Sequence, residues 1–164
     1  MSKRRRSYEA GHSPKFLVVI DDSQECDRAL YFASRRALRI GSTVLMLRVI
    51  ETHDRNQQWL GVADIMRAEA LEEANAVLDR HAARSAAITG VMPQRVIREG
   101  EKVQELLNLI EDDEDIALLV LAAAVSKEGP GPLVSSLSKN AGDFPIPIAV
   151  VPGHLSDEDL DSMS

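Results

Sequence analysis

Two short stretches carry the residues that could do chemistry. The first is FLVVIDDSQEC, Phe16 to Cys26, in which an apolar run ends on the paired carboxylates Asp21 and Asp22. A carboxylate at the end of a strand can accept hydrogen bonds from sugar hydroxyls or close a helix start. Asp21 admits either role. Asp22 and Glu25 have the spacing of a capping box, so a cap is the expected role of Asp22. The second stretch is LAAAVSKEGPGPLVSS, Leu121 to Ser136. Its Gly129 and Gly131 could bring bare backbone up to a phosphate. Lys127 could add charge, and Ser135 and Ser136 could add hydroxyls. Pro130 and Pro132 contribute no N–H donors to such a cradle, and Glu128 adds a like charge beside it.

Other chemistries lack support in the residue pattern. His12, His53, His81 and His154 are scattered without an HExxH or comparable ligand spacing. The loop after Leu121 has no GK[ST], so it is not a P-loop. No GxSxG elbow offers Ser135 or Ser136 as an acyl nucleophile. The acidic run at 111–115 reads as a solvated turn, because calcium-loop spacing is missing. The lone cysteine, Cys26, falls in a first helical turn, where a dipole can lower a thiol pKa; a small buried residue is the expected reading, a redox thiol the other.

These stretches need a scaffold, and the pattern supplies one. Apolar runs at Phe16–Ile20, Thr43–Ile50, Ile116–Ala123 and Ile146–Val151 read as strands, and Pro93–Arg98 as a shorter strand of alternating polarity, suited to a sheet edge. Cys26, Ala29, Leu30, Ala33 and Ala37 make one face of a helix that stops at Gly41. Further helices are predicted over about 62–87, around Val103–Ile110, and over Leu133–Ala141. Trp59, in a polar connection, is expected to cover apolar surface, with stacking on a flat ligand ring as the other role. Strands alternating with helices imply a doubly wound α/β domain with a largely parallel sheet. Ligands of such sheets lie beyond the carboxyl ends of the strands, where strand order reverses. The loops after strands one, two and four are therefore the candidates.

Bulk properties bound the answer. A chain of 164 residues makes one domain the expectation. With 45 % apolar and only 4 % aromatic residues, the core must be aliphatic. The net charge of -7 argues against nucleic-acid binding through bulk electrostatics. No run approaches the ~20 apolar residues of a membrane span, and a cytoplasmic location is the expectation. Residues 1–14 read as a flexible basic tail, 15–152 as the domain, and 153–164 as an acidic tail.

The order and spacing of FLVVIDDSQECDRALYFA, VLMLRVIE, RVIREGEKVQELL, DIALLVLAAA and FPIPIAVVP, spanning about Lys15 to Pro152, resemble the universal stress protein family. That resemblance implies a three-layer, five-stranded parallel sheet in the order 3-2-1-4-5, flavodoxin-like and adenine nucleotide alpha hydrolase-like. It implies a homodimer in contact through the last strand, Ile146 to Val151. It also implies a stress-response binding module without catalysis. Some family members bind ATP, with magnesium as its companion ion, and others do not. In the binders an Asp ending strand one contacts the nucleotide, matched by Asp21, and a strand-two residue offers backbone to adenine, matched by Val49. Their phosphates are held by a Gly, a second Gly three residues on, and a Gly-Ser ten residues beyond. Here those positions fall on Ala122, Val125 and Ser135-Ser136, and only Ser136 fits. Weak or absent ATP binding follows, with a switch using the Gly-Pro-Gly-Pro loop as the alternative.

Overall fold

The computed structural model describes residues 4–51 and 60–164; Trp59 and His53 lie outside them. The elements run β1 (Lys15–Val19), α1 (Cys26–Ile40), β2 (Thr43–Ile50), α2 (Leu60–Thr89), β3 (Gln94–Glu99), α3 (Lys102–Asp112), β4 (Ile116–Ala123), α4 (Pro132–Lys139), β5 (Ile148–Pro152) and α5 (Asp157–Met163). All strand pairings are parallel, and the sheet order is β3-β2-β1-β4-β5. This is the flavodoxin-like architecture, with helices on both faces.

Alternation along the strands builds two cores. Phe16, Val18, Ile20 and Met46 point to the side where Leu30 of α1 and Leu78 of α2 pack. Leu17, Val19, Leu45 and Leu47 point to the other side, against Leu106 and Ile110 of α3 and Leu137 of α4. A strand buried on both faces must be apolar at every position. That is why FLVVI and the first part of TVLMLRVI read as continuous runs. The small stripe of α1 brings it close to the sheet, with Ala29, Ala33 and Ala37 buried. Gly41 ends that helix at φ +70°, and its N–H donates to the Ala37 carbonyl.

The sequence reading needs correction at four points. Asp22 does not cap α1. The helix begins after Glu25, whose side chain makes no capping bond. Asp21 Oδ1 instead accepts from the Ser23 N–H at 2.9 Å, and Asp22 lies 3.2 Å from Arg48, so the chain makes an Asx turn before the helix. The last strand starts at Ile148 rather than Ile146, because Pro147 has no N–H to give to a ladder.

The basic N-terminal segment is docked. Arg5 Nη1 donates to the carbonyls of Ile110 and Asp113 at 2.8 and 3.0 Å. Lys15 and His12 meet Asp113 and Asp115, each at 2.6 Å. The acidic run at 111–115 is thus the receptor of this arm as well as a turn, and it offers open carbonyls at the end of α3.

The C-terminal segment is a helix. Ser156 and Asp159 form a capping box, and Leu160 is 1 % exposed within the core formed with α1 and α2. Tyr31 donates to Asp161 Oδ1 at 2.6 Å, and Arg28 reaches the Leu155 carbonyl at 2.9 Å and Asp157 at 2.5 Å. Among the described residues no helix is long and apolar enough to cross a membrane.

Candidate functional site

Strand order reverses between β1 and β4, and a cleft opens beyond their carboxyl ends. It measures about 530 Å³, within the range of small-molecule sites. Of the residues offered from sequence as ligand contacts, Asp21, Val49, Ala122 and Gly131 line it, with Asp22, Glu25, Pro130 and Pro132 beside them. Asp21 follows β1, with its carboxylate also accepting from the Ser23 hydroxyl at 2.5 Å. Val49 sits near the end of β2. The Ile20 N–H donates to the Leu47 carbonyl, while the Gly100 N–H donates to the Ile50 carbonyl. Backbone polar groups alternate sides along a strand. Those of Val49 therefore face past the end of β1, toward the cleft.

The loop after β4 closes on itself. Ala124 N–H donates to the Pro130 carbonyl at 3.0 Å, Gly129 N–H to the Ser126 carbonyl at 3.3 Å, and Glu128 N–H to Ser126 Oγ at 3.1 Å. Those three donors are spent, and Pro130 and Pro132 have none. Gly129 and Gly131 adopt φ of +113° and +105°, yet a Cβ on either would meet nothing within 4 Å. Their positive φ makes them turn residues, and Gly131 also lines the cleft. Val125 is 73 % exposed and does not line the cleft. Lys127 is exposed, as are Ser135 and Ser136 on α4, and none of the three lines the cleft. The glycine-proline knot is a stiff turn that delivers the chain to Pro132 at the first position of α4.

Sequence reading missed the charge of the walls. Arg48 enters from β2, its guanidinium 3.2 Å from both the Ile20 carbonyl and Asp22. Lys102 enters from the start of α3, 3.5 Å from Glu51. Glu25 and Glu73 add carboxylates from the turn before α1 and from α2. Two signals were available. Arg48 is the one charged residue inside a run that is otherwise buried or apolar. Lys102 puts a cation in a first helical turn, against the dipole.

Cys26 also borders the cleft but is buried. Burial pushes its thiol pKa up to about 12 against a backbone hydrogen bond from Asp21, with the Asp21 and Asp27 carboxylates adding repulsion against the thiolate and Arg48 opposing it. It is a core residue, not a poised nucleophile. Among the described residues, no group of three or more His, Cys, Asp or Glu side chains could hold a metal ion.

Solved structures of the same fold include the universal stress protein UspA from Lactobacillus plantarum, 20 % identical with a TM-score of 0.66, covering 84 % of this chain and 97 % of that one. A universal stress protein from Archaeoglobus fulgidus in complex with dAMP is 15 % identical, TM-score 0.59, covering 84 % and 96 %. A universal stress protein family protein from Arabidopsis thaliana with AMP bound is 14 % identical, TM-score 0.56, covering 88 % and 94 %. At these identities the likeness speaks for the fold. No curated protein matches the chain. Residues 13–152 match the family model of the universal stress proteins, and the chain belongs to the universal stress protein family.

Proposed function

We propose that the chain is a non-catalytic, cytoplasmic stress-response module, homodimeric through β5, whose cleft takes an adenine nucleoside or nucleotide and holds ATP weakly. The observation that carries this reading is the contrast between the two ends of the cleft. The end that would face base and ribose is intact, with Asp21 and the free backbone side of Val49 on its wall. The end that would face phosphates is a self-bonded turn flanked by prolines. Relatives of the same fold are described with AMP and dAMP, both monophosphates, which agrees with a cleft that makes little of a triphosphate tail. Magnesium would come only with such a tail. The absence of catalysis is supported by the cleft residues. Among the described residues Ser23 has Asp21 but no imidazole to take its proton, and Cys26 is held protonated.

Thermal unfolding tests this directly. A ligand held at ~100-fold excess over its Kd adds ~2.7 kcal/mol to the native state. We expect AMP or adenosine at millimolar concentration to raise the midpoint, Mg·ATP to raise it far less, and Asp21→Ala to abolish the shift. No shift with any adenine compound would overturn the ligand reading. A large shift with Mg·ATP alone would favour the switch built on the Gly-Pro-Gly-Pro loop.

A further inference from the structure

The charges on the cleft walls are out of balance. Five carboxylates line it among the described residues: Asp21, Asp22, Glu25, Glu51 and Glu73. Two cations among the described residues line it, and each already faces one of those acids, Arg48 at 3.2 Å from Asp22 and Lys102 at 3.5 Å from Glu51. The helix starts at the cleft, those of α1, α3 and α4, contribute roughly half a positive unit each. Pro132 at the first position of α4 removes one donor there. Among the described residues the walls therefore carry more negative than positive charge. They are also rich in acceptors, and the adjoining loop turns the Ala124, Glu128 and Gly129 N–H groups back on itself.

Resting on the adenine reading above, we propose that the preferred occupant of this cleft is an uncharged adenine nucleoside, and that the carboxylates reject 5′-phosphates. The chemistry is complementary. A nucleoside presents hydroxyl and amino donors, which carboxylates accept strongly. A 5′-monophosphate brings a charge of about −1.5 to −2 and only acceptors. Like charges a few ångströms apart at a protein surface cost enough to shift a Kd on the order of tenfold, and salt weakens the effect. Specificity here comes from what is repelled as much as from what is held.

A charge ladder tests the idea by calorimetry on the full chain, without magnesium and at low and high ionic strength. The ladder is 5′-amino-5′-deoxyadenosine, adenosine, AMP and ATP. The expected affinity order follows ligand charge from positive to negative. Each step from adenosine to AMP to ATP weakens binding by at least about tenfold at low salt, and the gaps shrink at high salt. Glu25→Gln together with Glu73→Gln should narrow the adenosine-to-AMP gap by about tenfold, and circular dichroism checks that this near-isosteric pair still folds. AMP or ATP binding as tightly as adenosine, or a gap that ignores both salt and the substitutions, overturns charge rejection and leaves the adenine reading standing. Binding by no member of the ladder overturns both.

Discussion

The Gly153 N–H donates to the Ala123 carbonyl at 2.9 Å, and a Cβ on Gly153 would lie 2.4 Å from that same oxygen and 3.2 Å from Cβ of Glu25. Only a residue without a side chain can lie here. The contact fastens the chain leaving β5 to the end of β4 and to the turn before α1, at the rim of the cleft. Gly153→Ala must displace backbone rather than a flexible side-chain end. We expect it to cost ~1–3 kcal/mol in urea unfolding. Gly142→Ala, where the added methyl meets open space, serves as the control and should stay within ~0.5 kcal/mol. Equal effects at the two positions would refute the close approach.

The helix that follows is held by charges, so its docking should depend on pH. The Arg28 hydrogen bond holds the Asp157 carboxyl below its ordinary 3.8 against the opposing effect of burial, with Arg84 adding to it. At Asp27 burial works to raise the pKa, but hydrogen bonds from Arg84 and Arg28 overcome it and the net shift is downward. A depressed carboxylate stabilises the fold above its unfolded pKa and loses that contribution as pH falls through the folded value. Stability should therefore drop below about pH 4. Both carboxylates are partly exposed, so each pair is worth at most ~1 kcal/mol. Tyr31 acts on the opposite limb. Its hydrogen bond to Asp161 raises its pKa above 10.0, with burial adding to the shift, so its contribution persists below that value and is lost as pH climbs past it. Urea midpoints measured across pH should show both limbs. Tyr31→Phe should remove the alkaline limb alone, and a flat profile in the wild-type protein would count against the docked helix.

Which parts of this molecule could be read from sequence follows from how local each cause is. β1, β2 and β4 were legible because a strand covered on both faces is apolar throughout, and its neighbours are turn residues. Asp21 and Val49 could be placed at the cleft because strand ends fix where a doubly wound sheet opens. The capping box of Asp22 and Glu25 failed because its competitor, Arg48, arrives from another strand. GHLSDEDLDSMS looked like a solvated tail because its partners, Arg28, Tyr31 and Arg84, sit on α1 and α2, far away in sequence. The negative wall of the cleft stayed hidden for the same reason. Glu25, Glu51, Glu73 and Lys102 come from four segments and meet only in three dimensions.

Cys26 gives a prediction about reactivity. The thiol is 3 % exposed, 3.6 Å from the Val19 carbonyl, and its pKa is pushed up to about 12. Almost no thiolate exists at pH 8, and burial leaves little of the residue open to a reagent even though it borders the cleft. Labelling by an aromatic disulfide should be slower by orders of magnitude than that of a free thiol. It should accelerate with urea in step with global unfolding, because access requires the core between α1 and the sheet to open. Rapid labelling of the native protein would mean that the first turn of α1 opens locally, and it would revive a redox reading.

The edge of β5 carries the last prediction. β5 pairs with β4 on one side only, and Val150 is 45 % exposed beside a small apolar depression formed with Leu121, Val134, Leu137 and Ile148. An open parallel edge with apolar side chains invites a second strand unless something covers it. The C-terminal helix does not: its contacts are with α1 and α2, on the other face of the sheet. A second copy of the chain, adding its own β5 across a two-fold axis, would satisfy both the edge and the depression. Val150→Asp puts a charge into that contact while leaving the monomer core untouched. Light scattering should report a dimer for the wild-type protein and a monomer for the variant, with the unfolding midpoint falling and becoming independent of concentration. A dimer that survives Val150→Asp would place the interface elsewhere, and a wild-type protein that scatters as a monomer would remove the partner strand altogether.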